Sequence, residues 1–70
     1  MSWNHRVVKH TEMDGSVWYA IHEAYYNGES VTHISELAAE PGGETIEELA
    51  DELRRMLKAT EKPSLNYEDF

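Results

Sequence analysis

Residues 13–30, MDGSVWYAIHEAYYNGES, have the pattern of a strand between two hairpin turns, and the rest of the predicted sheet follows from this segment. Its centre is dense in aromatic and β-branched side chains, which favour a pleated strand. Asp14-Gly15 precedes this centre and Asn27-Gly28 follows it, and dipeptides of this kind are strong signals for tight turns between antiparallel strands. The pattern therefore predicts a further strand on each side of the central one.

The neighbouring segments supply those strands. SWNHRVVKHTE, residues 2–12, contains a short β-branched run, and SVTHIS, residues 30–35, alternates weakly. Pro41-Gly42-Gly43 then interrupts any regular element. The expected order up to this point is three strands joined by two hairpins and followed by a loop.

A helix over residues 45 to 59 is the strongest local prediction. Its apolar side chains recur at helical spacing and form one stripe: Ile46, Leu49, Ala50, Leu53, Met56 and Leu57. Thr45 and Glu48 have the spacing of a capping box, and acidic side chains crowd the start of the segment while basic ones crowd its end. We expect Leu53, in the middle of the stripe, to be a core residue.

Together these elements predict an α+β domain of βββα order, in which one amphipathic helix packs on one face of a three-stranded antiparallel meander. A chain of 70 residues allows one domain, which we place at residues 1–60, followed by a C-terminal tail at 61–70. The tail carries three apolar side chains and Pro63, so it can pack back on the sheet.

The central strand has two apolar faces. Alternation places Trp18 and Tyr26 on one face and Tyr19 and Tyr25 on the other. One helix covers only one face of such a sheet, so the other needs the tail, a partner or a second copy of the chain. We expect self-association through these four aromatic side chains, with packing of the tail as the alternative.

The formal charge of −8 repels nucleic-acid phosphate and favours encounter with a basic protein. Direct binding to nucleic acid is therefore not expected. A basic partner would dock on the acidic helix start at Glu44, Glu47, Glu48 and Asp51, although such a cluster also suits an ordinary solvated face.

No combination of residues predicts catalysis, a metal site or a cofactor. His22 and Glu23 are neighbours on a strand and point to opposite faces, so they cannot act on one atom. His5, His22 and His33 lie on three predicted strands, but the faces do not bring them together, and no zinc-binding motif is present. The chain has no charged-then-apolar leader and no long apolar run, which predicts a cytoplasmic protein without membrane contact.

The segments WYAIHEAYYNGES, residues 18–30, and GETIEELADELRRMLKATEKPSL, from residue 43, resemble a group of small bacterial proteins that share an IHE strand and a GETxEEL helix start. The resemblance covers most of the chain and implies a fold, while no activity is assigned to that group.

More distantly, the chain resembles the N-terminal domain of HicB-type antitoxins through Gly43, Glu44, Thr45, Glu47 and Glu48, with Leu49 where that pattern often has Ala. The resemblance implies binding to a small basic protein, because such antitoxins neutralise a basic RNA-cleaving toxin. Their Pro-Asp-x-Pro-Gly-Cys segment is replaced here by Tyr-Tyr-Asn-Gly, and these residues include no DNA-binding domain, so repression of transcription is not expected.

From the sequence we therefore expect a small acidic protein-binding or regulatory module with an antitoxin-like fold and no catalytic activity. It would act as a homodimer, with a small basic protein as a further partner. The alternative is a self-associating structural protein that binds only its own copy.

Overall fold

The computed structural model describes residues 2–70, which form one mixed β-sheet and one α-helix. The sheet runs in the order β3-β2-β1-β4, with β1 antiparallel to β2, β2 antiparallel to β3, and β4 parallel to β1. The elements in chain order are β1 (Ser2–Thr11), β2 (Val17–Asn27), β3 (Ser30–Ile34), α1 (Ile46–Ala59), β4 (Leu65–Asn66) and a final 3₁₀ turn (Tyr67–Asp69).

The α+β class is confirmed, but the expected three-stranded antiparallel meander is wrong in strand number and order. The segment after the helix returns to the sheet, where Leu65 and Asn66 pair in parallel with Val8 and Lys9. A strand of two residues carries no periodicity that a sequence could reveal. Part of the expected tail is therefore an edge strand of the sheet.

Both hairpins lie where the Gly dipeptides place them, and in each the glycine has positive φ. In the first, Gly15 N–H donates to the Glu12 carbonyl and φ of Gly15 is 88°, which fits a type I turn closed by a glycine bulge. In the second, Asn27 pairs with Ser30 and φ of Gly28 is 65°, which fits a type II′ turn.

The helix begins at Ile46 and is capped by Thr45, as predicted. Thr45 Oγ1 accepts a hydrogen bond of 3.0 Å from the Glu48 N–H. The Glu48 carboxylate reaches back to the N–H of Glu44, at 2.8 Å, one residue earlier than in a standard capping box. Two of the main-chain donors around the helix start are thus satisfied by side chains.

The register assigns the two faces of the sheet. His10, Val8 and Arg6 of β1 lie opposite Trp18, Ala20 and His22 of β2, and we call this side the first face. His5, opposite Glu23, lies on the second face. The helix packs against β1 on the second face, because Glu52 of α1 contacts His5 Nε2 at 3.1 Å.

The final 3₁₀ turn packs on the first face, where Tyr67 stacks on His10 with ring centroids 4.5 Å apart. The core between these layers is small. Its buried members are the apolar Val8, Ala24, Met56 and Ala59 and the polar His5 and His22.

Candidate functional site

Half of the apolar stripe of the helix faces solvent. Ile46 is 85% exposed, Leu57 is 67% exposed and Leu53 is 48% exposed. The prediction that Leu53 is a core residue is therefore wrong, and Met56, which is 7% exposed, takes that role. We call these three exposed residues, together with the half-buried Ala50 that lies between them, the helix ridge.

The ridge arises because the helix lies mainly on one strand, β1, and buries only the side that carries Met56 and Ala59. At 100° per residue, the four ridge residues fall within about 60° of the helix circumference, and the centre of this sector lies about 120° from that of Met56 and Ala59. Their spacing of four, three and four residues is that of the a and d positions of a heptad. The sequence contains that spacing, but helical spacing alone does not show which side of an apolar stripe packs on the sheet.

Charge divides the same helix along its length. Its first half carries Glu47, Glu48, Asp51 and Glu52, whereas its second half carries Arg54, Arg55 and Lys58. Within the helix, Asp51 pairs with Arg54 at 2.7 Å and Glu52 pairs with Arg55 at 2.7 Å. The pKa of the Glu52 carboxyl lies below its usual value, mainly because Arg55 donates a hydrogen bond to it. Partial burial raises this pKa, and His5 lowers it further.

The four predicted aromatic contact residues lie on both faces of β2, as alternation requires, and they do not form one surface. Trp18 is 46% exposed and its indole N–H donates to Glu12, while Tyr26 is half-buried and accepts a hydrogen bond from Arg6. On the second face Tyr19 is 60% exposed and Tyr25 is half-buried. The Tyr25 hydroxyl donates a hydrogen bond to the Glu23 carboxylate. The pKa of Tyr25 is raised, first by burial and then by that carboxylate.

The four predicted acidic docking residues all lie at the start of the helix and are exposed: Glu44, Glu47, Glu48 and Asp51. Two of their carboxylates are already engaged, since Glu48 holds the Glu44 N–H and Asp51 holds Arg54. The carboxylates of Glu44 and Glu47 form no hydrogen bond or ion pair with any of the described residues.

The first face of the sheet holds a pair of histidines that the sequence did not reveal. His10 Nε2 and His22 Nε2 are 2.9 Å apart, and His22 Nδ1 lies 2.9 Å from the Ser35 carbonyl oxygen. A carbonyl accepts only, so His22 Nδ1 carries a proton, and neutral His22 then accepts at Nε2 from His10. The His10 ring also stacks on Trp18, with centroids 4.0 Å apart and planes at 13°.

This pair accommodates one proton between its facing nitrogens, since two imidazolium rings would set N–H against N–H. The pKa of His10 is lowered by burial first and then by His22, while Glu12 opposes the shift. His5 and His33 do not join the pair, because His5 lies on the opposite face and His33 contacts Thr32. Across residues 2–70, no three metal-binding side chains come together.

No family model, no curated protein and no solved structure matches this chain. Among the described residues, no helix is long and apolar enough to cross a membrane.

Proposed function

We propose that the protein is a non-catalytic protein-interaction module that works as a homodimer, with the helix ridges of two copies packed against each other. The observation that carries this proposal is the exposed, heptad-spaced row of Ile46, Leu53 and Leu57. Contiguous apolar rows of this kind on a small domain mark contact surfaces, and a heptad row fits another helix.

The charge pattern favours an antiparallel pair of helices. If Ile46 of each copy lies opposite Leu57 of the other, the acidic first half of each helix faces the basic second half of its partner. Glu47 of one copy is then level with the segment from Arg54 to Lys58 of the other. A parallel pair would instead set acid against acid and base against base, which is destabilising.

Sedimentation equilibrium tests the pairing. The parent protein should approach twice its monomer mass of 8.1 kDa as its concentration rises. Leu57→Asp should hold the mass near 8.1 kDa, because a carboxylate would be buried in the interface. Leu37→Asp is the matched control, since Leu37 is 82% exposed and lies outside the helix. A parent mass that stays at the monomer value at every concentration would overturn the proposal.

The direction of pairing has its own test in charge exchange. Glu47→Arg and Arg54→Glu should each weaken the dimer, while the double variant should recover much of the parent affinity, because the attraction is restored with its signs exchanged. Equal weakening by the single and double variants would contradict the antiparallel arrangement.

A basic protein is a second candidate partner, favoured by the run from Glu36 to Leu53, which has seven acidic side chains and no Lys or Arg. Glu44 and Glu47 would make its contacts, since both are exposed and without ion pairs among the described residues. Such a complex should be lost from pull-downs as salt rises and in the double variant Glu44→Gln, Glu47→Gln. Retention of a captured partner under both conditions would exclude this docking site.

A further inference from the structure

Strand β1 has an open outer edge over its first half. β4 pairs with β1 only at Val8 and Lys9, so no strand of the described chain lies beside Ser2–Val7 on that side. An open strand edge presents main-chain donors and acceptors in a row and is a template for another extended chain.

The alternation of the ladder shows which groups face this edge. The Glu23 carbonyl accepts from the Ser35 N–H on the β3 side of β2, at 2.9 Å. His5 lies opposite Glu23, and in such an antiparallel pair both residues direct their main-chain groups away from each other. The main-chain N–H and C=O of His5 therefore face the open edge of β1. Those of Trp3, two residues earlier on the strand, face the same edge. Among the described residues, no hydrogen bond joins the main chain of Trp3 or His5 to another element. Trp3 is the more open of the two positions, since it is 52% exposed and His5 is 7% exposed.

A cleft of about 740 Å³ runs between this edge and the helix. That size falls within the usual range of ligand sites, which is about 300–1,000 Å³. The lining residues are Trp3, Asn4 and His5 of β1, Glu52, Arg55, Lys58 and Ala59 of α1, and Lys62.

The cleft is cationic although the protein is strongly acidic. Three of the six Lys and Arg side chains line it, namely Arg55, Lys58 and Lys62, against the single carboxylate of Glu52. At physiological ionic strength, charges farther away than about 8 Å are largely screened. A segment bound in the cleft therefore meets mainly these nearby cations and not the overall charge of −8.

We infer that this cleft binds an extended acidic peptide of a partner protein, which adds to the sheet as a strand beside β1. Its main chain would bond to Trp3 and His5, its carboxylates would meet Lys58 and Lys62, and an apolar side chain would pack on the indole of Trp3, which is 52% exposed. Strand addition of this kind combines main-chain affinity with side-chain selectivity.

A second copy of this chain suits the edge less well, because pairing two identical edges would bring their cationic clefts together. The cleft also lies away from the helix ridge, since Lys58 and Ala59 are not on the ridge side of the helix. The inference therefore goes beyond homodimerisation and does not depend on it.

The test is a titration of isotope-labelled protein with short acetylated and amidated peptides in which Glu alternates with Val, Ile or Tyr. At least one peptide should shift the amide resonances of Trp3, Asn4 and His5 and slow hydrogen exchange at Trp3 and His5 by about tenfold or more. The same peptides with Lys in place of Glu should not bind. A version N-methylated at alternate positions should bind more weakly, because it lacks the donors for strand pairing.

Two charge variants assign the site. Lys58→Glu with Lys62→Glu should weaken peptide binding by about tenfold or more, which is about 1.4 kcal/mol, whereas Lys9→Glu, outside the cleft, should change it little. Failure of all three acidic peptides to bind at about 1 mM, or equal binding of the Lys peptides, would overturn the inference. Hydrogen exchange at Trp3 and His5 that slows as protein concentration rises, without any peptide, would show that a second copy pairs with this edge. That result would also overturn the inference.

Discussion

Replacement of Met56 by Ala and of Leu57 by Ala should have different consequences, although the two residues are neighbours on one apolar stripe. Met56 is 7% exposed, so Met56→Ala leaves a cavity between α1 and the sheet and should cost about 2–5 kcal/mol. The whole domain, at about 0.05–0.15 kcal/mol per residue, has only about 4–10 kcal/mol to lose. Even the smaller loss would lower the Tm by about 8–16 °C.

Leu57 is 67% exposed in the single chain, so only about a third of its burial is present there. Full burial of a Leu side chain is worth about 1.5–3 kcal/mol, and Leu57→Ala should therefore cost at most about 1 kcal/mol in the monomer. In a dimer packed through the helix ridge the Leu57 side chain is buried in the interface, so Leu57→Ala also weakens the association of the two copies. The cost of Leu57→Ala should thus grow with protein concentration.

Urea unfolding at a low and a high protein concentration, followed by far-ultraviolet circular dichroism, measures both effects. Met56→Ala should lower the midpoint by a similar amount at both concentrations. Leu57→Ala should lower it little at the low concentration and clearly at the high one. Equal losses for the two variants at each concentration would refute the division of the stripe into a buried side and a ridge.

Thr45→Ala should lower the free energy of unfolding by about 0.5–2 kcal/mol in urea denaturation, because the Glu48 N–H loses its cap, and Thr45→Ser should retain most of the stability. Gly43→Ala should lower the Tm, since an added methyl carbon would lie 2.7 Å from the Leu49 nitrogen, whereas Gly42→Ala, with no atom within 4 Å, should not. Acidification through and below pH 6.5 should destabilise the protein, because the folded state lowers the pKa of His10 and the unfolded chain then binds more protons. That slope, measured by denaturation at several pH values, should shrink in His10→Phe.

The parts of the fold that are fixed by short-range signals were predictable. The glycines at 15 and 28 marked both hairpins, and Thr45 together with the charge gradient marked the helix ends. The turn types were not predictable, because the register of the paired strands determines how many residues remain for each loop, and that number selects the turn type. β4 could not be predicted either, because its two residues acquire their structure only by pairing with β1.

The candidate site was predictable only in part. Helical spacing identified the apolar stripe, but which side of it packs depends on where the helix meets the sheet. That position is fixed by tertiary contacts such as the one between His5 and Glu52. The pairing of His10 with His22 likewise follows from the register of β1 against β2. No local sequence pattern predicts that register.

The short strand β4 also bears on the order in which the molecule folds. Its contacts with β1 join positions far apart in the chain, as does the bond from Arg6 to the Pro63 carbonyl, which spans 57 residues. Local hairpins and the helix can form early, whereas such distant contacts wait for loop closure and are slow to form. During synthesis the edge of β1 beside Val8 therefore stays uncovered until Leu65 and Asn66 have emerged. A chain cut before Leu65 would keep that edge exposed and would be prone to pair with other chains.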